Sequence, residues 1–360
     1  MAERFGSYEI AEELGAGGVA TVHLARSRAI SNPVALKRLY PHIMNIKELV
    51  GSFVDEARLA RHLRHPGIAR VYEFGRFRGI YFIAFEFVPG PTLQQLQRHC
   101  IEHVGRIPIP VVVEIASQLC DALDHAHNVK NELGFPMGIV HRDVSPSNVI
   151  VSSSGQVKLI DFGLAKTKQS SVHSQAGVIK GKLNYVAPEY LVSGKIDARV
   201  DLWALGVVMY ELLTSRRLFD APDDFETMNR VRKLPIPRPS IANPRVTPEL
   251  DEIVMCALER DPDRRWRSAA ALREALRTVV AGNQVDNAHV SSWVSWVFTQ
   301  KPGTEASGVS KLMHITGSTA ALPPEPAVPP RAEHRNHGII WIMLVCAATL
   351  AGLVAWQLAT

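Results

Sequence analysis

The sequence predicts an α+β globular domain that ends near residue 280, followed by a Pro/Ser-rich linker and one long apolar helix. Three observations support this division. Up to about residue 280, short apolar segments typical of strands alternate with amphipathic helical patterns and Gly/Pro turns. The stretch over 281–337 is polar and contains a proline-rich segment at 322–330, which is typical of a disordered linker. Residues 338–359 then carry no charged side chain.

Composition limits the functions that the domain can have. A hydrophobic content of 46% supports a packed core, so the chain as a whole is not disordered. The net charge of +5 is small for 360 residues and no basic run contains interleaved aromatic residues, so we expect no nucleic-acid partner. The four cysteines lie far apart, which argues against structural zinc and disulfides and favours a reducing compartment. The N-terminal residues lack an apolar core, so we expect no secretory signal.

A glycine-rich turn near the N-terminus is the first segment with a functional pattern. Gly15, Gly17 and Gly18 would let backbone N–H groups approach phosphate groups without a side chain in the way. The pattern alone is weak, because an ordinary β-hairpin explains it equally well. The segment over 21–25 is typical of a second strand, whereas a dinucleotide-binding fold would begin a helix there.

A lysine ends the next apolar strand, and a helix that could carry its partner follows. Such a lysine is usually solvated, but after a phosphate-binding turn Lys37 is better explained as a contact to the α- and β-phosphates of ATP. Its partner should be an acidic residue on the helix that follows. Glu56 aligns better than the neighbouring Asp55 with the apolar face of that helix.

The most informative pattern is a series of polar residues that begins at His141. Asp143 is a carboxylate that can orient a hydroxyl nucleophile. Asn148 and Asp161 follow at the spacing that two phosphate-bound magnesium ions require, and both offer hard oxygen ligands. Isolated acids in loops could simply form turns. The complete series in this order therefore indicates phosphoryl transfer.

With these residues, the segment 141–148, the Asp-Phe-Gly triplet at 161–163 and the Ala-Pro-Glu triplet at 187–189, the chain resembles the eukaryotic-like protein kinase family. The resemblance extends over residues 8 to about 280 and is to the bacterial serine/threonine branch of that family. It implies a two-lobed protein-kinase fold, with a β-rich N-lobe over 8–88 and a helical C-lobe over 89–280. It also implies ATP and Mg²⁺ as cofactors and protein substrates with hydroxyl acceptors.

The same resemblance assigns a site. In a kinase, the backbone N–H and C=O groups of Glu86 and Val88 would form the hinge that binds the adenine edge, with Phe85 at the back of the pocket. Asn148 and Asp161 would be the metal ligands. The expected catalytic residues are Asp143, Lys37, Glu56 and Lys182. The expected nucleotide contacts are Leu14, Gly15, Ala16, Gly17, Gly18, Ala20, Val22, Ala35, Lys37, Glu86, Val88 and Ile150.

Two further residues of the resemblance have a structural role. Glu189 and Arg265 would form a buried ion pair, so neither belongs to the catalytic set. Asp201 should lie on a buried helix. Four residues of the activation segment are candidates for phosphorylation, because Arg142 could bind a phosphate: Thr167, Ser170, Ser171 and Ser174.

Two positions depart from the family pattern. Ser145 stands where serine/threonine kinases carry a lysine that reaches the γ-phosphate, and Lys182 stands where they commonly carry threonine. We hypothesise that Lys182 supplies the missing positive charge beside Asp143; a solvated Lys182 that helps to dock substrates is the alternative. Ser145 also leaves the choice between serine/threonine and tyrosine acceptors open, although the overall resemblance favours serine/threonine.

The apolar run over 338–359 is predicted to be a single transmembrane helix. It would span about 30 Å at 1.5 Å per residue, and a buried core helix is a poor alternative because the linker separates it from the domain. Trp341 and Trp356 near its ends and two preceding arginines predict a single-pass anchor in the cell (inner) membrane, with the domain cytoplasmic. Small residues recur on one face, so a homodimer through this helix is a further hypothesis.

Two functions follow from these observations. The first is a membrane-anchored kinase that transfers the γ-phosphoryl group of ATP to serine or threonine of proteins, including its own chain. The second is a tail-anchored pseudokinase scaffold that binds nucleotide or partner proteins without turnover. The complete catalytic set favours the first.

Two local segments also carry structural predictions. The aromatic cluster over 293–298 predicts a short helix that docks on the domain, with a membrane-surface or partner-binding element as the alternative. The insertion over 128–138 predicts a surface turn.

Overall fold

A computed structural model of the protein describes residues 3–162, 182–193, 196–279 and 285–300. The part up to residue 88 is built mainly from strands, and the part that follows is mainly helical, as the two-lobe prediction requires. The predicted phosphorylation sites, the predicted transmembrane helix and the part of the linker after residue 300 lie outside the described residues. Within the described ranges, no helix is long and apolar enough to span a membrane.

The N-terminal lobe is one antiparallel six-stranded sheet with a helix on one face, in the order β1-β2-β3-β4-β6-β5. One face of the sheet packs on the helix α1 through Leu39, Phe53 and Ile83, and the other buries Tyr8 and Leu36. The elements are β1 Arg4–Phe5, β2 Tyr8–Ala16, β3 Ala20–Ser27, β4 Ile30–Leu39, α1 Lys47–Ala60, β5 Val71–Phe77 and β6 Ile80–Glu86.

The C-terminal lobe is built around a central helix, α5, which is buried from Val200 to Thr214. A mainly apolar helix that is buried on all sides is typical of the centre of a helical core. A two-stranded ribbon of β7 and β8 lies at the cleft side of the lobe. The elements are α2 Leu93–His103, α3 Ile109–Asn128, β7 Val149–Val151, β8 Val157–Leu159, α4 Pro188–Ser193, α5 Arg199–Thr214, α6 Asp224–Lys233, α7 Pro239–Ala242, α8 Pro248–Ala257, α9 Ala269–Val279 and α10 Asn287–Val297.

Backbone hydrogen bonds from the β7–β8 ribbon fix the lobes next to one another. The Ala69 N–H donates to the Leu159 carbonyl at 2.9 Å, and the Leu159 N–H donates to the Gly67 carbonyl at 2.8 Å. The Val151 N–H donates to the Pro91 carbonyl, just after the chain has passed between the lobes. The ribbon therefore contacts both the loop that follows α1 and the connection between the lobes.

Two local predictions from the sequence are confirmed. The aromatic cluster forms the helix α10, which buries Val290, Trp293, Val294 and Val297 against the C-terminal lobe. The insertion over 128–138 forms a surface turn closed by an isolated bridge between Lys130 and Pro136. Leu133 at its tip is 80% exposed.

Candidate active site

The glycine-rich turn joins β2 to β3, and the predicted second strand is present. The Gly17 N–H donates to the Ala20 carbonyl at 2.9 Å. A Cβ atom on Gly15 would meet nothing within 4 Å, and one on Gly17 would lie 3.7 Å from the nearest atom. Neither glycine has a positive φ. Since neither packing nor backbone conformation requires glycine here, close approach of a ligand is the better explanation.

Lys37 on β4 lies between a carboxylate of each lobe. Its Nζ is 2.9 Å from Glu56 Oε1 on α1 and 3.0 Å from Asp161 Oδ1 at the end of the β8 segment. The contact is thus made by Glu56 and not by its neighbour Asp55. Burial alone would lower the pKa of Lys37, but the charges of Asp161 and Glu56 outweigh it and raise that pKa, so the ammonium stays charged.

The Glu56 side chain is more deeply buried than those of Asp143 and Asp161. Burial raises its pKa to about 6, because the Lys37 ammonium only partly offsets burial and the nearby charges of Asp161 and Asp143. A buried carboxylate on α1 that holds a lysine of β4 couples the position of the helix to the cleft. This coupling requires the ion pair to be charged.

The connection between the lobes differs in one detail from the sequence-based expectation. The Glu86 N–H donates to the Arg70 carbonyl at 2.8 Å as part of the sheet edge, so the expectation that this N–H binds adenine is wrong. The Glu86 carbonyl and the backbone groups of Val88 remain as the adenine-binding candidates. The Glu86 side chain bonds to Lys158 of β8 at 2.9 Å. Phe85 lies beside Lys37, with its ring centroid 6.0 Å from Nζ, as expected for the back of the pocket.

The other predicted nucleotide contacts lie on both sides of the cleft. Val22 is the cross-strand neighbour of Lys37, and Ala35 lies two residues before it, on the same face of β4. Ile150 is half-buried although Val149 and Val151 on either side of it are completely buried, so its side chain points away from the helical core. The remaining contacts lie at the end of β2, in the turn and at the start of β3: Leu14, Gly15, Ala16, Gly17, Gly18 and Ala20.

A buried carboxylate holds the segment 141–148, called the catalytic loop below, in shape. Asp201 on α5 accepts the backbone N–H groups of His141 and Arg142, both at 2.8 Å, and its Oδ2 lies 2.8 Å from His127 Nε2. Arg142 has a φ of 64°, a conformation that a non-glycine residue adopts only when its surroundings impose it. Burial would raise the pKa of Asp201, but these hydrogen bonds and the neighbouring histidines lower it. The sequence predicted only the burial of Asp201; the signal for its role was a charged residue near the start of a mainly apolar helix.

His141 orients Asp143 through a hydrogen bond to its backbone N–H. The Asp143 N–H donates to His141 Nδ1 at 3.2 Å, so the proton of a neutral imidazole lies on Nε2, which is 3.2 Å from the Ile160 carbonyl. Burial lowers the pKa of His141, so the ring is neutral. Sequence reasoning had included His141 in the motif without giving it a role.

Asp143 contacts two of the predicted site residues. Asn148 Nδ2 donates to the Asp143 carbonyl at 2.9 Å and to its Oδ2 at 2.7 Å. Lys182 Nζ lies 2.5 Å from the same Oδ2. The Asp143 side chain is 12% exposed and that of Lys182 is 36% exposed, so Lys182 reaches the carboxylate from the solvent side. Ser145, in contrast, is buried and bonds to Ser147.

Asn148 and Asp161 can hold magnesium. Because Asn148 Nδ2 uses its hydrogens on Asp143, its Oδ1 is directed away from Asp143 and offers an oxygen ligand. Asp161 is partly exposed, at 37%, and has a φ of 52°. Among the described residues, no group of three or more His, Cys, Asp or Glu could hold a metal ion. Two protein ligands are nevertheless typical of magnesium that is also bound by substrate phosphates.

The predicted structural ion pair is confirmed. Arg265 and Glu189 form a bidentate pair with distances of 2.7 and 2.6 Å. The Arg265 side chain is completely buried. The pair ties the start of α4 to the segment before α9, away from the catalytic groups.

Comparison with known proteins agrees with this geometry. The family described as protein kinase domain matches residues 8–276. The tyrosine-protein kinase MasK of Myxococcus xanthus is 33% identical over 323 residues, which cover 88% of this chain and 50% of the relative. The serine/threonine-protein kinase PknB of Mycolicibacterium smegmatis is 35% identical over 287 residues, which cover 78% of this chain and 44% of the relative. The chain thus spans about half the length of these curated relatives, or less.

Solved structures resemble the fold over a similar range. A crystal structure of the Mycobacterium tuberculosis PknI kinase domain is 27% identical, with a TM-score of 0.61. The match covers 78% of this chain and 98% of that domain.

Proposed function

This chain belongs to the protein kinase family, and from that premise we propose that it transfers the γ-phosphoryl group of ATP to serine or threonine hydroxyls of proteins, including its own. One observation carries the proposal. Lys37 of the N-terminal lobe lies 3.0 Å from Asp161 of the C-terminal lobe, while Asn148 holds Asp143 nearby. A phosphate-binding cation, a metal-binding pair and a base candidate therefore meet at one cleft.

Each side chain has a distinct role in the proposed reaction. Magnesium ions, when bound, would neutralise charge on the β- and γ-phosphates of ATP. Asn148 and Asp161 would hold the metal, and Lys37, kept in place by Glu56, would bind the α- and β-phosphates. Asp143 would orient the acceptor hydroxyl and receive its proton. Its own orientation depends on His141 and Asn148.

Lys182 is proposed to stabilise the transferred phosphoryl group. Serine/threonine kinases place a lysine two residues after the catalytic aspartate, where this chain has the buried Ser145. The Lys182 ammonium lies 2.5 Å from the Asp143 carboxylate instead. A cation at that place is close to both the acceptor hydroxyl and the phosphoryl group, where the transition state develops charge.

Tyrosine is the second candidate acceptor. Two observations favour it: MasK, a relative at 33% identity, is named a tyrosine-protein kinase, and Ser145 occupies a position where serine/threonine and tyrosine kinases differ. The several relatives named serine/threonine kinases at 34–35% identity favour serine and threonine. We therefore propose serine/threonine as the principal acceptor.

The proposal is tested with the full-length chain, radiolabelled ATP and magnesium. An Asp143→Asn variant that unfolds at the same temperature as the wild type serves as the control. Label should appear in the wild type and in an added protein substrate, and should be nearly absent from the variant. Hydrolysis of the labelled protein to amino acids should release phosphoserine and phosphothreonine. Phosphotyrosine alone would establish the second candidate, and equal labelling of both proteins would favour the scaffold function.

The membrane anchor is also a proposal, supported by the uncharged run over 338–359 and its flanking residues. In fractionated cells the full-length chain should sediment with the membranes and resist extraction by high salt. Deletion of 338–359 should release it into the soluble fraction. Continued sedimentation of the deletion variant would contradict the anchor.

A further inference from the structure

The turn between β7 and β8 lies against the connection that carries the proposed adenine-binding groups. The Val151 N–H donates to the Pro91 carbonyl at 3.0 Å, and the Ser153 N–H donates to the Pro89 carbonyl at 3.1 Å. Gly90, between these two prolines, has a φ of 152°, and a Cβ atom there would overlap the Val151 carbonyl. The backbone around 89–91 is therefore in direct contact with the β7–β8 turn, and this contact constrains its conformation.

The opposite side of the same turn is covered by α10. Gly155 has a φ of 78°, and a Cβ atom there would overlap the Asn287 carbonyl and lie 2.9 Å from the Ser291 nitrogen. The Ser291 hydroxyl donates to the Ser153 carbonyl at 2.6 Å. Ser153 thus contacts the interlobe connection through its N–H and α10 through its carbonyl. A single peptide layer separates α10 from the proposed hinge.

α10 is held firmly at both ends. Near its start, Asn287 Oδ1 accepts from Gln118 of α3 at 2.7 Å. At its end, the Val297 carbonyl lies 3.1 Å from His99 Nε2 on α2, and the Phe298 ring lies 4.6 Å from the His99 ring. Between these contacts, Trp293 and its apolar neighbours are buried in the core of the C-terminal lobe. The helix is therefore tied by direct contacts to α2, to α3 and to the turn.

We propose that α10 is a hinge brace, a positioning element outside the nucleotide pocket that sets the affinity for ATP. The inference rests on the proposed function, because it takes Glu86 and Val88 as the adenine-binding groups. Backbone hydrogen bonds to adenine depend on the orientation of the peptide groups after the end of β6. Packing on the β7–β8 turn fixes the 89–91 backbone, and α10 fixes the turn, so undocking α10 loosens the adenine contacts while Asp143, Asn148 and Lys37 stay in place.

The brace can be removed by Gly155→Ala, for which the chain offers a matched control. Gly134 has a φ of 82°, nearly that of Gly155, but a Cβ atom there meets nothing within 4 Å. Both alanine variants therefore place a Cβ atom at a similar positive φ, and only the one at 155 meets α10. In the full-length chain, amide hydrogen exchange over 287–297 reports docking, and titration with ATP and magnesium reports affinity.

We expect Gly155→Ala to raise amide exchange in α10 and to weaken ATP binding about tenfold, with a smaller change in kcat than in KM for ATP. Gly134→Ala should match the wild type in both measurements. Ser291→Ala removes only the hydrogen bond to Ser153 and should weaken binding about two- to threefold without unfolding the helix, which keeps the test valid if Gly155→Ala folds poorly.

Faster exchange in α10 with unchanged ATP affinity would overturn the hinge brace and leave the proposed function intact. Unchanged exchange in Gly155→Ala would overturn it as well, because the contact with Asn287 would then not hold the helix. A wild-type chain that binds no ATP would contradict the proposed function together with the inference.

Discussion

Lys37 and Arg265 are both buried cations paired with glutamate, yet their surroundings differ. Arg265 donates to Glu189 with both terminal nitrogens, and it also donates to the carbonyls of Arg199, Glu259 and Arg260. These contacts account for all five guanidinium N–H groups. Lys37 instead bonds to two carboxylates, and one of them, Asp161, is 37% exposed and is a proposed magnesium ligand.

The difference shows what distinguishes a structural ion pair from a reactive one. At Arg265 every donor has a protein partner, so the pair gains nothing from a ligand and serves to hold two segments together. At Lys37 two carboxylates surround one ammonium, and the proposed binding of magnesium to Asp161 would offset this excess of negative charge. A site that binds a charged substrate therefore carries a net charge when the substrate is absent.

Replacing Lys37 should have the largest effect on activity. We expect Lys37→Met to lower phosphate incorporation by about three orders of magnitude, as the loss of a key electrostatic contact does. The fold should survive, because Glu56, whose pKa is already raised to about 6, can take up a proton once the ammonium is absent. Incorporation and thermal unfolding should be measured beside the exposed Lys130→Met. Substantial activity in Lys37→Met would contradict the assignment of this lysine.

Replacing Arg265 should mainly affect stability. Arg265→Met removes the bidentate ion pair from the buried end of Glu189, and we expect the free energy of unfolding to fall by about 3–5 kcal/mol. Urea unfolding of the single variants and of Glu189→Gln/Arg265→Met measures the coupling, and the double variant should be less destabilised than the sum of the singles. Additive losses would show that the two side chains do not act as a pair. Activity per folded molecule should change little.

Lys182 differs from both Lys37 and Arg265, because it pairs with the proposed catalytic carboxylate of Asp143 from the solvent side. We expect Lys182→Met to lower kcat about a hundredfold with little change in thermal stability, and Lys182→Arg to keep part of the activity. If Lys182 only docks substrates, KM for the protein substrate should rise while kcat stays constant. Steady-state kinetics with a protein acceptor distinguishes the two roles.

The pH dependence should give the smallest effect. As pH falls through about 6, Glu56 takes up a proton and releases Lys37, so kcat/KM for ATP should decline a fewfold below that pH. Stability should move in the opposite sense. The folded-state pKa lies above the ordinary value of 4.5, so the folded form binds the proton more tightly and this group adds stability as pH falls between about 6 and 4.5. A Glu56→Gln variant should show no decline near pH 6; a decline as steep as in the wild type would assign it to another group.

Sequence patterns with a local physical cause were reliable. The choice of Glu56 over Asp55 followed from helix periodicity, and the structure places the contact with Lys37 on Glu56. The second strand after the glycine-rich turn followed from its strand-like sequence, and a short docked helix at 293–298 followed from the aromatic cluster; the structure extends that helix over 287–297. The Glu189–Arg265 pair came from the family resemblance and is also present.

Several other contacts between distant segments were not predicted from the sequence. The Glu86 N–H was expected at the adenine edge, but strand pairing joins it to the Arg70 carbonyl. The bond between Lys158 and Glu86 and the contact of Gly155 with Asn287 depend on how separate elements pack. Only the position of α5 behind the catalytic loop gives Asp201 its hydrogen bonds to His141 and Arg142.

The sequence by itself determined which chemical groups are present and in what order, because spacing along a strand, helix or turn decides which side chains share a face. It therefore carried the family resemblance, and that resemblance implied the two-lobed fold and the candidate residues of the site. Only the tertiary structure decided which groups meet across the cleft and that α10 lies one layer behind the proposed hinge. It also decided between the two sequence-based alternatives for Lys182, which lies beside Asp143. These contacts join residues far apart in the chain, and their geometry is set by the packing of whole elements rather than by any local pattern.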